Sequence, residues 1–292
     1  MKFRFALAIL LASGLWAQAP ASKEVEVFGQ KIHYVEAGAG PTVILLHGLG
    51  GDGTNWALTT PALAKNYHVL VPDQIGFGES PKPMINYRVA TLVDFLAAFT
   101  KKLGITKATL VGNSLGGWTA IAYTLAHPDQ VERLVLVDSA GYSLTRTGVQ
   151  GSRETLTFLD PSSVAVEKIL MQTILANKAM VTDAFAESAF AEHLRKNDGY
   201  TIDRFIESIL RNEDVVDGKL GAIKVPTLVV WGREDALIPL PAGELMSKEI
   251  AGSSMVILDH CGHVPQLECA VPFDTALMKF LNGGAQPSTG SR

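Results

Sequence analysis

The chain has 292 residues, 47% of them hydrophobic and 18% charged, with a formal net charge of −4. This composition excludes global disorder and allows a substantial core; with no basic run, nucleic-acid binding has no electrostatic support. Two cysteines are too few for a disulfide scaffold, and no Cys/His cluster has zinc-ligand spacing, so neither metal nor cofactor is expected.

Lys2 and Arg4 precede an apolar run from Phe5 to Trp16, broken only by Ser13 and Gly14, and Ala17-Gln18-Ala19 follows. A basic start, a short apolar stretch and a small-x-small site have the form of a secretory signal peptide, assigned to residues 1–21. The run is shorter than the roughly 20 residues that span a bilayer. The expectation is an exported protein, periplasmic or extracellular, cut after Ala19 or Ala21, with no stable membrane span after processing.

Val25 to Phe28 and Lys31 to Val35 then alternate as a hairpin with Gly29 at the turn. Thr42 to Leu46, Val69 to Val71, Ala108 to Val111, Leu134 to Val137, Thr227 to Trp231 and Met255 to Leu258 are short apolar runs without polar alternation, the pattern of strands buried on both faces. Leu92 to Leu103 and Trp118 to Ala126 carry helical spacing between them. The predicted fold is α/β, a mostly parallel eight-stranded sheet with helices on both faces. From Gly141 to Lys219 no strand-like run occurs, and Val164 to Leu175, Ala179 to Leu194 and Ile202 to Leu210 read as amphipathic helices. That length exceeds an ordinary crossover. Residues 141–219 are therefore expected to form a helical cap after the sixth strand, with the core at 22–140 and 220–282. The Gly/Pro/Ser-rich tail 283–292 is expected to be disordered.

Gly112-Asn113-Ser114-Leu115-Gly116 sits between a strand and a helix, the setting of a nucleophile elbow. The turn must hold Ser114 in a strained conformation, and its flanking positions must be small because strand and helix backbones converge. A serine hydroxyl needs a base. His263, flanked by Gly262 after the last strand, is favoured over His260, while His33, His68, His127 and His193 read as structural. An acid must orient the imidazole; Asp235, directly after a strand, is favoured over Asp138, and Glu234 points elsewhere. The backbone N–H groups of Leu49 and Leu115 are the expected oxyanion donors, with Gly48 and Gly50 allowing close approach of substrate. His47 reads as a structural hydrogen-bonder. Cys261 suits a small buried position under the catalytic loop, so Cys261 and Cys269 are expected as free thiols, with a bridge as the alternative.

His47-Gly48-Leu49-Gly50, Asp73-Gln74-Ile75-Gly76-Phe77-Gly78-Glu79-Ser80, Gly112 to Gly117, Asp235 and Gly262-His263 together resemble the α/β-hydrolase superfamily over residues 24–282. The resemblance implies a serine-hydrolase triad in the chain order Ser, Asp, His and a structural role for the Asp73–Ser80 turn. The Asn113-Ser114 pair and the cap are similar to carbon–carbon bond hydrolases of meta-cleavage pathways. In those enzymes a Trp commonly follows the catalytic His, where this chain has Val264, and a cap arginine assists, for which Arg195 is the candidate. Ser114 argues against the dehalogenase and epoxide-hydrolase branches, which use an Asp nucleophile.

The expected activity is that of an exported serine carboxylesterase acting through an acyl-enzyme on a small-molecule ester. Carbon–carbon, lactone or peracid chemistry are the alternatives among enzymes, and a ligand receptor on the same fold is the alternative outside them. Met171 and Phe190 in the cap are the expected substrate contacts, suiting an apolar group.

Overall fold

The computed structural model describes residues 20–147 and 151–283. Among these residues the elements in chain order are β1 (Ala21–Val27), β2 (Gln30–Ala37), β3 (Thr42–Leu46), α1 (Thr60–Leu63), β4 (His68–Pro72), α2 (Val89–Lys102), β5 (Ala108–Asn113), α3 (Leu115–Ala126) and β6 (Val131–Val137). There follow α4 (Leu144–Thr147), α5 (Arg153–Leu156), α6 (Val164–Ile174), α7 (Asp183–Lys196) and α8 (Gly199–Leu210). The chain then returns through β7 (Thr227–Gly232), α9 (Leu240–Glu249), β8 (Ser254–Leu258), α10 (Pro265–Glu268) and α11 (Ala270–Asn282). The expected signal segment, apart from Pro20 and Ala21, and the tail beyond Gly283 lie outside the described residues. No helix among the described residues is long and apolar enough to cross a membrane.

The strands form one sheet in the order β1-β2-β4-β3-β5-β6-β7-β8. The β1–β2 and β2–β4 pairs are antiparallel and the rest parallel. Phe28 and Gly29 both take positive φ in the first hairpin, the two-residue turn whose twist matches its strands. Pairing runs from Ala21 opposite Glu36, so the core begins at Ala21, inside the stretch assigned to the signal.

Successive residues of the central strands feed opposite layers. Ile44, Leu46, Leu110, Leu134, Leu136, Val229 and Trp231 pack on the side of α2, α3 and α9. Val43, Leu45, Val111, Val135, Val137 and Val230 pack with Trp56, Leu63, Phe273 and Leu277 on the other. Two covered faces explain why these strands show no polar alternation.

Helices α4 to α8 follow one another between β6 and β7, as the sequence pattern predicts. The third predicted helix ends at Leu210 as expected, but α7 starts at Asp183 rather than Ala179. The Thr182 hydroxyl accepts the Phe185 N–H at 3.2 Å and fixes the helix start there. At the other end Asn197, in the left-handed region, stops α7 at Lys196.

The parallel order brings the C-terminal ends of β3, β5, β6, β7 and β8 to one edge. The residues that follow are His47, Ser114, Asp138, Arg233 and Asp259, so this edge, the usual ligand edge of an open α/β sheet, gathers every candidate of the sequence analysis that lies in the core.

Candidate active site

Ser114 joins β5 to α3 with φ +54° and ψ −118°. A non-glycine residue there carries strain of order 1–3 kcal/mol, and its backbone is held from both sides. Its N–H donates to the Val137 carbonyl at 3.0 Å, and its carbonyl accepts the Trp118 and Ala140 N–H groups at 3.1 Å each. The flanking glycines are required by close approach. A Cβ at Gly112 would overlap the Gly116 carbonyl, one at Gly116 the Leu46 carbonyl, and one at Gly117 the Ser139 hydroxyl.

Asp235 and His263 meet as expected, with Asp235 Oδ2 2.8 Å from His263 Nδ1 in a buried contact. Asp235 Oδ1 also accepts the Leu237 and Ile238 N–H groups at 2.8 and 2.9 Å. Nδ1 therefore donates to the carboxylate, and Nε2 is left as the basic nitrogen. Among the described residues no hydrogen bond joins Ser114 Oγ to the imidazole; contacts of this kind are often long before substrate binds. The competing residues are placed elsewhere: His260 is exposed, and Glu234 Oε2 accepts the Cys261 N–H at 3.0 Å. Asp138 is the second carboxylate of the site, since its oxygen, that of Asp235 and a His263 nitrogen all lie within 4.8 Å of one another.

The loop after β3 approaches Ser114 closely, for a Cβ at Gly48 would stand 3.1 Å from Ser114 Cβ. The Leu49 and Leu115 N–H groups have no backbone acceptor among the described residues. Leu115 is the first residue of α3, where backbone donors are free and the helix dipole favours negative charge. His47 is structural: Nδ1–H donates to the Gly48 carbonyl at 2.8 Å and Nε2 accepts the Gln74 N–H at 3.0 Å. Burial holds its imidazole below the ordinary value, and so neutral. Asp73 braces the same region by accepting the Gly53 and Glu79 N–H groups at 2.7 and 2.8 Å.

Three features went unread in the sequence. The Asn113 amide donates to the Val137 and His263 carbonyls at 3.1 and 2.9 Å, strapping the His263 loop to β5. Glu268 accepts the Gly262 N–H at 2.8 Å and, from the segment after α6, the Ala176 and Asn177 N–H groups at 3.0 and 2.8 Å. The only local signal was an acid closing the apolar Val264-Pro265-Gln266-Leu267 stretch. Lys196, at the end of α7, bonds the Gly50 carbonyl at 3.1 Å and Asp52 at 2.8 Å.

The helical insertion thus docks on the site through backbone contacts, including the His263 N–H on the Ile174 carbonyl at 2.7 Å. Met171 lies three residues before Ile174 on α6 and is half-buried. Phe190 stacks on His193, with ring centroids 6.3 Å apart, and His193 faces Asp160 at 3.2 Å. Gly50, in the left-handed region at φ +67°, presents its carbonyl to Lys196.

Two expectations are overturned. Arg195 is not a site residue: it pairs with Glu192 at 2.6 Å and Glu79 at 3.0 Å and is 57% exposed. Cys261 and Cys269 are not free thiols but form a disulfide, with Cα atoms 6.0 Å apart. The short helix α10 folds the chain back, which brings the two residues within bridging range.

A serine on a strand-helix elbow, with a histidine held by a buried aspartate at the same sheet edge, is the arrangement of a hydrolase site. The chain belongs to the alpha/beta hydrolase fold family, whose model matches residues 41–270. It is 31% identical to a 2-hydroxymuconate semialdehyde hydrolase of Pseudomonas sp. (strain CF600), covering 89% of this chain and 93% of that protein. Among solved structures it is similar to a meta-cleavage product hydrolase from Pseudomonas fluorescens IP01, with TM-score 0.78, 28% identity and coverage of 89% and 97%. It is also similar to a bacterial membrane phospholipase A, with TM-score 0.76, 29% identity and coverage of 90% and 86%.

Proposed function

We propose that this hydrolase cleaves carboxylic esters through an acyl-enzyme on Ser114. The observation that carries the reading is the strained Ser114 elbow, set beside the free Leu49 and Leu115 N–H groups. In this mechanism His263 Nε2 takes the Ser114 proton as Oγ attacks the ester carbonyl. The oxygen that gains charge is met by the Leu49 and Leu115 N–H groups. The imidazolium, stabilised by Asp235, gives its proton to the leaving alcohol. Water, activated by the same nitrogen, then releases the acid and restores Ser114.

A second reading, carbon–carbon bond hydrolysis, is supported by the similarity to the semialdehyde and meta-cleavage product hydrolases. The placement of Arg195 favours the ester instead: its guanidinium is engaged by two surface glutamates, which leaves the dienoate carboxylate of a meta-cleavage product without that partner. We also propose that the helices α4 to α8 act as a cap selecting substrate, with Met171 and Phe190 toward the acyl or alcohol group, and that the protein is exported. The disulfide supports export, since such bonds persist in oxidising compartments. Processing after Ala19 would leave β1 whole.

The test is steady-state turnover of p-nitrophenyl esters of graded chain length beside one vinylogous diketone. Turnover of the esters with little cleavage of the diketone supports the proposal. Preference for the diketone favours the second reading, and binding without turnover of either overturns both. Met171→Ala and Phe190→Ala should change the ranking across chain lengths more than the rate on the shortest ester.

A further inference from the structure

Asp138 directly follows β6, fully buried and in the left-handed region, at φ +43°. Its Oδ1 accepts the Gly232 N–H at 2.8 Å, while Oδ2 has no partner among the described hydrogen bonds although it is closed off from solvent. An unsatisfied buried carboxylate oxygen is costly. This one lies in the same cluster as Asp235 and His263.

These two are the titratable side chains that face it, Asp235 from the loop after β7 and His263 from the loop after β8. The strand on its other side, β5, pairs Asn113 with Val137 and leads into uncharged Asn113 and Ser114. No lysine or arginine is among the groups that shift the Asp138 carboxyl. Two buried carboxylates sharing one site disfavour each other's ionisation, so one of them holds its proton more tightly. The hydrogen bonds decide which. Asp235 accepts from three donors, the Leu237 and Ile238 N–H groups and the imidazole, whereas Asp138 accepts from one.

We infer that Asp138 is a positioning residue, a carboxylic acid kept protonated on Oδ2 that donates a hydrogen bond to the Asp235 carboxylate. This satisfies the orphaned oxygen and extends the line Ser114, His263, Asp235 by a fourth member that touches no substrate. Burial, followed by the Asp235 charge, holds the Asp138 carboxyl well above the ordinary value, in the direction this arrangement requires. The proton stays on Asp138 throughout; its role is to fix Asp235 on Nδ1 and to share the charge that Asp235 carries when the imidazolium forms. The inference rests on the roles proposed above for Ser114, His263 and Asp235.

The experiment compares wild type, Asp138→Asn, Asp138→Leu and Asp235→Asn by infrared spectroscopy and by the pH dependence of kcat/KM. A protonated-carboxyl C=O band should be present at pH 7 in wild type and absent in Asp138→Asn. An amide also donates, though more weakly, so Asp138→Asn should lower kcat by about threefold to tenfold. The acid limb, which reports His263, should stay within about 0.3 pH unit. Asp138→Leu removes the donor and should cost roughly 10²-fold in kcat with KM little changed, while Asp235→Asn should cost about 10⁴-fold. If Asp138 were ionised, Asp138→Asn would remove a charge beside the imidazole and move the acid limb down by about a unit or more. That shift, a missing band in wild type, or an Asp138→Asn variant more damaged than Asp235→Asn overturns the inference. The infrared band is read without substrate, so it answers for Asp138 even if the ester reading fails or Asp138→Leu does not fold.

Discussion

The Asn113 side chain donates to the His263 carbonyl at 2.9 Å, so the residue before Ser114 holds the loop that carries His263. The same amide bonds the Val137 carbonyl, and Asn113 is buried. One side chain therefore fixes β5, the end of β6 and the histidine loop relative to one another. Asn113→Ala should strand two carbonyls and loosen that register. A misplacement near 1 Å can cost on the order of 10²-fold in rate. Steady-state kinetics should show kcat lowered by roughly ten- to a hundredfold with KM changed far less; a loss confined to KM would place Asn113 on the substrate instead.

Glu268 ties the segment after α6 to the histidine loop through three N–H groups. Hydrogen bonds to a charged acceptor contribute about 1.5–3 kcal/mol each, and not additively. Glu268→Ala should lower unfolding stability by about 3 kcal/mol in urea titration and reduce kcat on the order of tenfold. A variant within about 0.5 kcal/mol of wild type would show that the three bonds are exchanged freely for water.

The Cys261–Cys269 bridge closes a loop around His263. Loop-closure entropy for eight residues corresponds to about 2.5 kcal/mol. Thiol counting on denatured, unreduced protein should find none, and reduction should lower stability by roughly that amount. Two reactive thiols would instead restore the expectation drawn from the sequence.

Asp52 offers a test in acid. Burial raises its carboxyl, but Lys196 and the Thr54 donors outweigh burial and hold it at about 2, against an ordinary 3.8. Because the folded value lies below the unfolded one, the stabilisation is complete above about pH 4 and is lost as pH falls through about 2. The shift corresponds to about 2 kcal/mol. The stability gap between wild type and Lys196→Met should shrink by about that much between pH 5 and pH 2. A gap independent of pH would mean that Lys196 acts through the Gly50 carbonyl alone.

Ser114 was legible because backbone geometry demands small neighbours, and that demand is written in five consecutive residues. Asp235 and His263 were legible because each lies in the loop after a recognisable apolar strand. The remaining features depend on partners far away in the chain. Glu268 meets Ala176 and Asn177 across some ninety positions, and Arg195 is drawn to the surface by Glu79, 116 positions away. The disulfide turned on whether α10 folds Cys269 back toward Cys261, a distance that composition does not set. In the sequence Asp138 and Asp235 are rivals for one role; three-dimensional placement puts their carboxylate oxygens within 4.8 Å of each other.

The most direct measurement of the central claim is labelling by a fluorophosphonate, followed by peptide mass spectrometry, on wild type and Ser114→Ala. The account predicts a single adduct on Ser114, its loss in the variant, and an ester kcat lowered by about 10³- to 10⁶-fold with the fold retained by circular dichroism. An adduct at another serine, or ester turnover that survives in folded Ser114→Ala, would contradict it.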